Sequence, residues 1–227
     1  MRALLDLLLP VDCASCGAPG SSWCLDCAAL LGSPVRVYPP CCVAGPPVYA
    51  LGAYRDQLRT VLLAYKERGR RDLRGPLGGA LASALLQLPP GHGSGGVWLV
   101  PVPSRRSAAA RRGGQHVALL AQRAAAALAG AGVAAAVAPA LRMGTGVRDS
   151  VGLQAAARQA NLVGRVLLRR AGLPPSGVSV VLVDDVVTTG TTAAACVTTL
   201  LQAGVDTTAI VVLAAAGCHA PSYSPEG

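Results

Sequence analysis

The sequence contains no phenylalanine, and tryptophan and tyrosine together make up only 3% of its 227 residues. Proteins that hold single-stranded nucleic acid usually stack the bases on aromatic rings, so such stacking has little support here. Lysine is also scarce, because every basic residue except Lys66 is arginine. Alanine supplies a large share of the apolar residues, and a mean hydropathy of +0.46 therefore overstates how apolar the chain is. The length still suffices for one core of moderate size with a small appendage.

A strongly apolar run long enough to cross a membrane is also missing. Residues 124–141 are uncharged, but most of them are alanine or glycine, which are too weakly apolar for a spanning helix. The leucine-rich residues 1–10 are interrupted by Asp6 and show no small-residue cleavage pattern. We therefore expect no secretory signal, no membrane insertion and a cytoplasmic location.

Positive charge is concentrated in one part of the chain. The net charge is +9, and residues 55–112 hold 11 basic against 3 acidic side chains, a difference of +8. Such a field attracts polyanions, either phosphate-bearing small molecules or nucleic acid. The alternative is a solubilising face without a specific partner. Charge alone leaves both interpretations open.

Four of the eight cysteines form two CxxC pairs separated by seven residues. They are Cys13, Cys16, Cys24 and Cys27. Two such pairs supply four thiolates to a tetrahedral Zn²⁺, whose binding provides folding free energy that so short a segment cannot obtain from a core. Disulfides are rare in a chain without a secretory signal, and a redox CxxC needs no second copy. We predict a structural zinc module, and the adjacent Cys41 and Cys42 stay unassigned.

Apolar periodicity predicts an α/β domain after the cysteine module. Residues 37–47 are rich in proline and cysteine, show no periodicity and are interpreted as a linker. The strand–helix–strand order near the end indicates a βαβ unit, and therefore a parallel sheet flanked by helices. We predict a zinc-binding module with linker (1–45), the α/β domain (46–217) and a tail (218–227). The predicted helices cover 58–65, 76–88, 115–129, 153–162 and 191–203, and the predicted strands cover 97–102, 133–138, 178–183 and 208–215.

The most specific stretch of the chain is residues 180–192. Four apolar residues of a buried strand precede Asp184 and Asp185, and a Thr/Gly turn then opens a helix. Backbone N–H groups, hydroxyls and the helix dipole at such a turn bind phosphate, while adjacent carboxylates suit vicinal sugar hydroxyls or Mg²⁺. The alternative is an acidic N-cap turn, for which one acid would suffice. The phosphate-binding candidates are Thr188, Thr189, Gly190, Thr191 and Thr192.

Residues 180–192 resemble the 5-phosphoribosyl 1-pyrophosphate (PRPP) signature of type I phosphoribosyltransferases. Several further motifs resemble, in order, those of the ComF family, whose members carry a zinc finger in front of a phosphoribosyltransferase domain. These motifs are the two CxxC pairs, Tyr65-Lys66 with Gly69, Val100-Pro101-Val102-Pro103 with Arg105-Arg106, Arg111-Arg112-Gly113, and Gly152-Leu153 with Arg158 and Asn161. The resemblance implies a type I phosphoribosyltransferase-like sheet, structural Zn²⁺, Mg²⁺ with PRPP, and an association with natural competence and DNA uptake.

The resemblance also implies roles for individual residues. Asp184 and Asp185 would hold the ribose hydroxyls or Mg²⁺, and the turn after them would hold the 5′-phosphate. Arg105 or Arg106 is expected to stabilise the pyrophosphate leaving group, because negative charge develops on its oxygens as it departs. The further substrate-binding candidates are Ser104, Arg111, Arg112 and Lys66.

Two of these positions have simpler interpretations. Lys66 is either a phosphate contact or a solvated turn residue. His116 is an acid–base or nucleobase contact in one interpretation and a surface polar residue beside a helix start in the other, which we favour. Many family members have Phe-Asn-Gln where this chain has Gly114-Gln115-His116, so an aromatic substrate contact is missing.

Two functions of different classes follow. The first is an enzyme that transfers phosphoribose from PRPP to a base or amine and displaces pyrophosphate. The second is a non-catalytic factor that binds single-stranded DNA through residues 55–112 during uptake or repair, with a DNA-uptake or helicase partner. Salt discriminates between them, because binding to a nucleic-acid backbone falls steeply as salt is added.

Overall fold

The computed structural model describes residues 11–89, 96–104, 115–144 and 166–217, which form an α/β fold. The helices are α1 Leu25–Ala28, α2 Asp56–Glu67, α3 Arg74–Gln87, α4 His116–Gly130 and α5 Thr191–Leu201. The strands are β1 Val35–Val37, β2 Val48–Ala50, β3 Val97–Pro101, β4 Ala135–Val137, β5 Leu141–Met143, β6 Val166–Leu168, β7 Ser179–Val187 and β8 Ala209–Ala215. Short 3-10 turns lie at Pro40–Cys42, Arg71–Leu73 and Arg170–Gly172.

Six strands form one mostly parallel sheet in the order β1-β2-β8-β7-β3-β4. Only β1 runs antiparallel to its neighbour in this sheet. Strand β7 lies inside the sheet, where Val183 is level with Val211 of β8 and Pro101 of β3. Both faces of β7 are covered, which explains its continuous apolar run. The predicted parallel sheet flanked by helices is therefore confirmed.

Alternating side chains of β7 and β8 divide the interior into two cores. Val181 and Val183 pack on the face covered by α2, α3 and α4. Val180 and Leu182 pack on the opposite face, against α5. Over residues 180–183 of β7, the odd-numbered side chains thus face α2–α4 and the even-numbered ones face α5, whereas Val187 at the end of the strand packs on the α5 side.

Most predicted elements within the described residues are present, with shifted ends. Strand β7 continues beyond the predicted end at residue 183 and includes both aspartates. Strand β1 pairs with β2, so the sheet already includes residue 37 of the predicted linker. Strands β5 and β6, which form a separate antiparallel pair, were not predicted. The predicted helix at 153–162 and the predicted tail lie outside the described residues.

Among the helices of the described residues, none combines the length and the apolar character that crossing a bilayer requires.

Candidate functional site

Four cysteine sulfurs meet near the start of the described chain. The Sγ atoms of Cys13, Cys16, Cys24 and Cys27 all lie within 4.8 Å of one another. The Sγ atoms of Cys16 and Cys24 are 3.6 Å apart, and the backbone N–H of Cys24 donates to Sγ of Cys13 at 3.4 Å. Cys13 and Cys27 are buried. These four residues could hold a metal ion such as zinc, as their spacing predicted.

The thiols of this cluster differ in acidity. Burial opposes ionisation of Cys13, but hydrogen bonds from the backbone of Cys16 and Cys24 outweigh it and lower its pKa to about 6. Burial and the neighbouring Cys24 thiol raise the pKa of Cys27 to about 12. One thiolate therefore forms readily and opposes ionisation of the others. A divalent cation removes this repulsion, so the donor set fits Zn²⁺.

Arg70 ties the cysteine cluster to the turn between α2 and α3. Its Nη2 donates to the backbone carbonyl of Asp12 at 2.8 Å and to that of Ser22 at 3.4 Å. Its Nε and Nη2 also donate to Oδ2 of Asp72, at 3.0 and 2.7 Å. This paired contact fixes the plane of the guanidinium, so the arginine bridges two parts of the chain in one orientation.

The second group of candidate residues lies at the carboxyl edge of the sheet. Strands β3, β7 and β8 are parallel, so their carboxyl ends share this edge, which is where ligands bind in open α/β sheets. Asp184 is level with Val212, and Val186 is level with Ala214, so the register with β8 is the same on either side of Asp185. Consecutive strand side chains alternate, and Asp184 and Asp185 therefore point to opposite faces of the sheet.

Asp185 is buried and makes close contacts on the α2–α4 face. Lys66, in the last turn of α2, places Nζ 3.1 Å from Oδ1 and 2.8 Å from Oδ2. His116, the first residue of α4, places Nε2 2.7 Å from Oδ2. Burial alone would raise the pKa of Asp185, but the His116 hydrogen bond and the Lys66 charge lower it to about 2. This carboxyl group is therefore ionised and oriented.

Asp184 has a different environment on the α5 face. It is half-buried, and its Oδ1 accepts the backbone N–H of Asp185 at 2.8 Å. Burial and the neighbouring Asp185 charge raise the pKa of Asp184 well above its ordinary range. The two side chains are hydrogen-bonded to each other, Asp184 favours its neutral form, and Lys66 already compensates the charge of Asp185. The pair fits a magnesium ion poorly, because Mg²⁺ needs oxygen ligands that carry uncompensated charge.

The turn after β7 has the backbone that the sequence predicted. Gly190 has φ +78°, in the left-handed region that glycine adopts without strain. Helix α5 begins at Thr191, and the first N–H groups of a helix have no partner within it. The hydroxyls of Thr189 and Thr191 are 2.8 Å apart, and Thr188 and Thr189 are exposed. Thr192 is half-buried.

Residues of the predicted linker pack directly against this turn. The backbone N–H of Cys41 donates to the carbonyl of Thr189 at 2.9 Å, and the Cys42 thiol donates to the carbonyl of Gly190 at 3.5 Å. Sγ of Cys41 lies 3.4 Å from Oγ1 of Thr191. The adjacent cysteines, unassigned from sequence, therefore form one wall of the turn.

The remaining candidates divide between described and undescribed residues. Ser104 follows β3 at the same edge, and its hydroxyl donates to Oε1 of Gln115 at 2.7 Å. Its backbone N–H also donates to that oxygen, at 3.1 Å. Ser104 and Gln115 are thus joined across the segment between them. Arg105, Arg106, Arg111 and Arg112 lie outside the described residues, as do Arg158 and Asn161.

The interpretation of His116 as a surface polar residue is wrong. Its side chain is only 8% exposed and contacts Asp185. One signal in the sequence could have found it, because His116, Leu120, Ala124 and Leu128 recur every four residues along α4 and all four are buried. Helical periodicity thus places the histidine on the apolar face.

An apolar cavity of about 350 Å³ lies at the opposite edge of the sheet. It is lined in part by Leu85, Leu88, Ser179 and Val181. Asp185 is six residues beyond Ser179 on β7, or roughly 20 Å along the strand. The cavity is therefore separate from the aspartates and the threonine turn.

Comparison of the chain with models of known protein families, and with curated proteins, gives no match.

Proposed function

We propose that the carboxyl edge of the sheet binds a 5-phosphorylated ribose, and that the protein is a phosphoribosyltransferase of the ComF type acting on PRPP. One observation carries the proposal: a strand with two aspartates leads, through a left-handed glycine, into the N-terminus of α5. The turn supplies N–H groups and hydroxyls for phosphate. The aspartates supply acceptors for the ribose hydroxyls. The finer fold assignment, a type I phosphoribosyltransferase-like sheet, belongs to the same proposal.

The proposed reaction is a displacement at C1 of the ribose. A lone pair of an acceptor nitrogen, on a base or an amine, forms the new bond to C1. The bond from C1 to the pyrophosphate oxygen breaks, and its electron pair leaves with pyrophosphate. The acceptor nitrogen then loses a proton. Mg²⁺ carried by the pyrophosphate of PRPP would supply positive charge to the departing oxygens, and Arg105 or Arg106 would add to it.

Calorimetric titration of the zinc-loaded protein with PRPP and Mg²⁺ tests this proposal. We expect micromolar affinity, and Thr192→Val should weaken it by about tenfold because a hydroxyl bond to a charged phosphate is lost. Thr198→Val is the matched control, since Thr198 lies further along α5, where its hydroxyl bonds the carbonyl of Ala194. Failure to bind PRPP, or equal losses in both variants, would refute the phosphate site.

Single-stranded DNA binding is the second candidate, favoured by the arginines of α2 and of the turn that follows. Arg55, Arg59, Arg68 and Arg71 are exposed on this surface. Fluorescence anisotropy with a labelled oligothymidylate at several salt concentrations tests it. If DNA binds at this surface, the logarithm of the affinity falls with the logarithm of the salt concentration with a slope of about −0.7 for each phosphate contacted. The double variant Arg59→Gln/Arg71→Gln should make this slope less steep. A slope unchanged in that variant would count against this surface as the DNA site.

A further inference from the structure

Lys66 forms a two-point contact with a buried carboxylate. Its Nζ lies 2.8 Å and 3.1 Å from the two oxygens of Asp185, whose side chain is 5% exposed. At these distances and this burial the ammonium largely compensates the negative charge of the carboxylate. The lysine side chain itself is 27% exposed, so its charge lies between the buried acid and the sheet edge.

His116 engages the same carboxylate from a second direction. Its Nε2 donates to Oδ2 of Asp185, because an ionised carboxylate can only accept. The hydroxyl of Tyr65, next to Lys66 on α2, donates to the backbone carbonyl of His116 at 2.9 Å. Helices α2 and α4 are thereby joined around the acid, so both partners of Asp185 are built into the fold.

The neighbouring acid adds little negative charge for a shared cation site. The Asp184 side chain is hydrogen-bonded to that of Asp185, and its Oδ1 accepts the backbone N–H of Asp185. Burial and the Asp185 charge raise the pKa of Asp184, so its neutral form is favoured and a divalent ion bound at Asp185 would gain little charge from it. It would also lie close to the Lys66 ammonium, which repels it.

We propose that Lys66 is the resident cation of Asp185, and that this acid pair receives ribose hydroxyls without a divalent metal. The proposal rests on the function proposed above and narrows it. Ligands that lack pyrophosphate, such as ribose 5-phosphate, bind equally well with and without Mg²⁺. The requirement for Mg²⁺ is confined to the pyrophosphate of PRPP.

The chemistry of the Asp185 carboxylate favours a sugar hydroxyl over a divalent metal ion as its ligand. Each carboxylate offers about four lone-pair positions, and a neutral hydroxyl can donate to one that Lys66 and His116 leave open. A hydroxyl adds no charge, so the ammonium does not oppose it. A divalent ion instead needs the charge that Lys66 already compensates. The same residues therefore accept a sugar and disfavour a metal.

Titration with ribose 5-phosphate in metal-depleted buffer, with and without added Mg²⁺, tests the proposal on the zinc-loaded protein. We expect the dissociation constant of the wild type to change by less than about twofold. Lys66→Met should bind about tenfold more weakly in the absence of Mg²⁺ and recover when Mg²⁺ is added. Lys66→Arg should stay independent of Mg²⁺, and Arg123→Met, at an exposed arginine of α4, is the charge-matched control.

Electron paramagnetic resonance with Mn²⁺ alone provides an independent test. We expect no Mn²⁺ bound by the wild type at the aspartates, and binding by Lys66→Met that Asp185→Asn abolishes. Mn²⁺ binding by the wild type, lost in Asp185→Asn, overturns the proposal, as does a strong effect of Mg²⁺ on ribose 5-phosphate affinity. If ribose 5-phosphate fails to bind under any condition, the proposed function is overturned, while the Mn²⁺ result still decides the role of Lys66.

Discussion

At the scale of single residues, two adjacent aspartates have opposite electrostatic environments. Asp185 is held between Lys66 and His116, whereas Asp184 has the charge of Asp185 beside it. The alternation of side chains along β7 is the cause, because it sends each acid to a different core. Sequence adjacency therefore does not make these two carboxyl groups equivalent, and their effects on stability should differ in sign.

Replacement of Asp185 by asparagine is expected to destabilise the fold at neutral pH. Its pKa is lowered from 3.8 to about 2, so the ionised acid stabilises the folded state above about pH 4. That stabilisation is lost as the pH falls through about 2. We expect Asp185→Asn to reduce the free energy of unfolding at pH 7 by about 2 kcal/mol, with a smaller difference at pH 3, as measured by urea denaturation.

Replacement of Asp184 by asparagine should have the opposite sign. Its pKa is raised by burial and by Asp185, so its ionisation favours the unfolded chain above the unfolded-state pKa. We expect Asp184→Asn to be more stable than the wild type at pH 7, and no different in acid, where both states are protonated. The two isosteric variants serve as controls for each other in the same denaturation series. Destabilisation of equal size in both would contradict the opposed environments.

The residues of the candidate site were predictable only where their signal is local. The aspartates and threonines follow one another within 180–192, so the sequence alone marks them as candidates. The partners of Asp185 are separated from it by 119 and 69 positions along the chain. No local pattern connects residues so far apart, and the pairing of Lys66 with Asp185 therefore needed the structure.

At the scale of elements, the segment after β1 supports the threonine turn. Cys41 and Cys42 bond the carbonyls of Thr189 and Gly190, so this segment fixes the path of the backbone into α5. A Cβ added to Gly190 would lie 2.5 Å from Sγ of Cys42 and 2.9 Å from Cβ of Pro39. The turn thus has no room for a larger residue.

Gly190→Ala is expected to damage both stability and phosphate binding. The left-handed φ costs an alanine about 1–2 kcal/mol, and overpacking against Cys42 adds about 1–3 kcal/mol. Gly177→Ala is the matched control, because Gly177 has φ +73° with no atom within 4 Å of the added Cβ. Thermal denaturation and PRPP titration of both variants measure the difference. Equal stability losses would show that the contact with Cys42 has no steric consequence.

Long elements were predictable, and most three-residue strands of the described chain were not, with β4 as the exception. Strands β7 and β8 and helices α2 to α5 have apolar runs or helical periodicity of sufficient length. Strands β1, β5 and β6 have three residues each, which is too short to show a period. The proline- and cysteine-rich segment has no period at all, and its position depends on contacts with the far end of the chain.

At the scale of the whole molecule, the cysteine cluster shares a core with the α/β fold. Cys13, Trp23 and Cys27 belong to the same buried cluster as Leu58 and Tyr65 of α2. Arg70 adds polar links to the backbone of residues 12 and 22. The predicted boundary at residue 45 therefore does not divide the hydrophobic interior.

Removal of zinc is expected to lower the melting temperature of the whole protein in one transition, because the cluster and α2 share a core. Arg70→Met should release zinc to a colorimetric chelator faster than the wild type, since it loses the links to residues 12 and 22. Arg71→Met is the control, because Arg71 is exposed and adjacent. A calorimetric scan that shows unchanged melting after metal removal would contradict the coupling, as would equal release rates in the two variants.

The distance along the chain between the two sides of the threonine turn bears on how the protein is made. Cys41 and Cys42 are separated from their partners in the turn by 150 and 148 positions. Domains emerge from the ribosome with the N-terminal part first, so the cysteine cluster can take up metal while the turn has not yet been synthesised. Cys41 and Cys42 are also synthesised before α5, against whose first turn they pack. On the nascent chain, the four cysteines are thus all present before the turn between β7 and α5 exists.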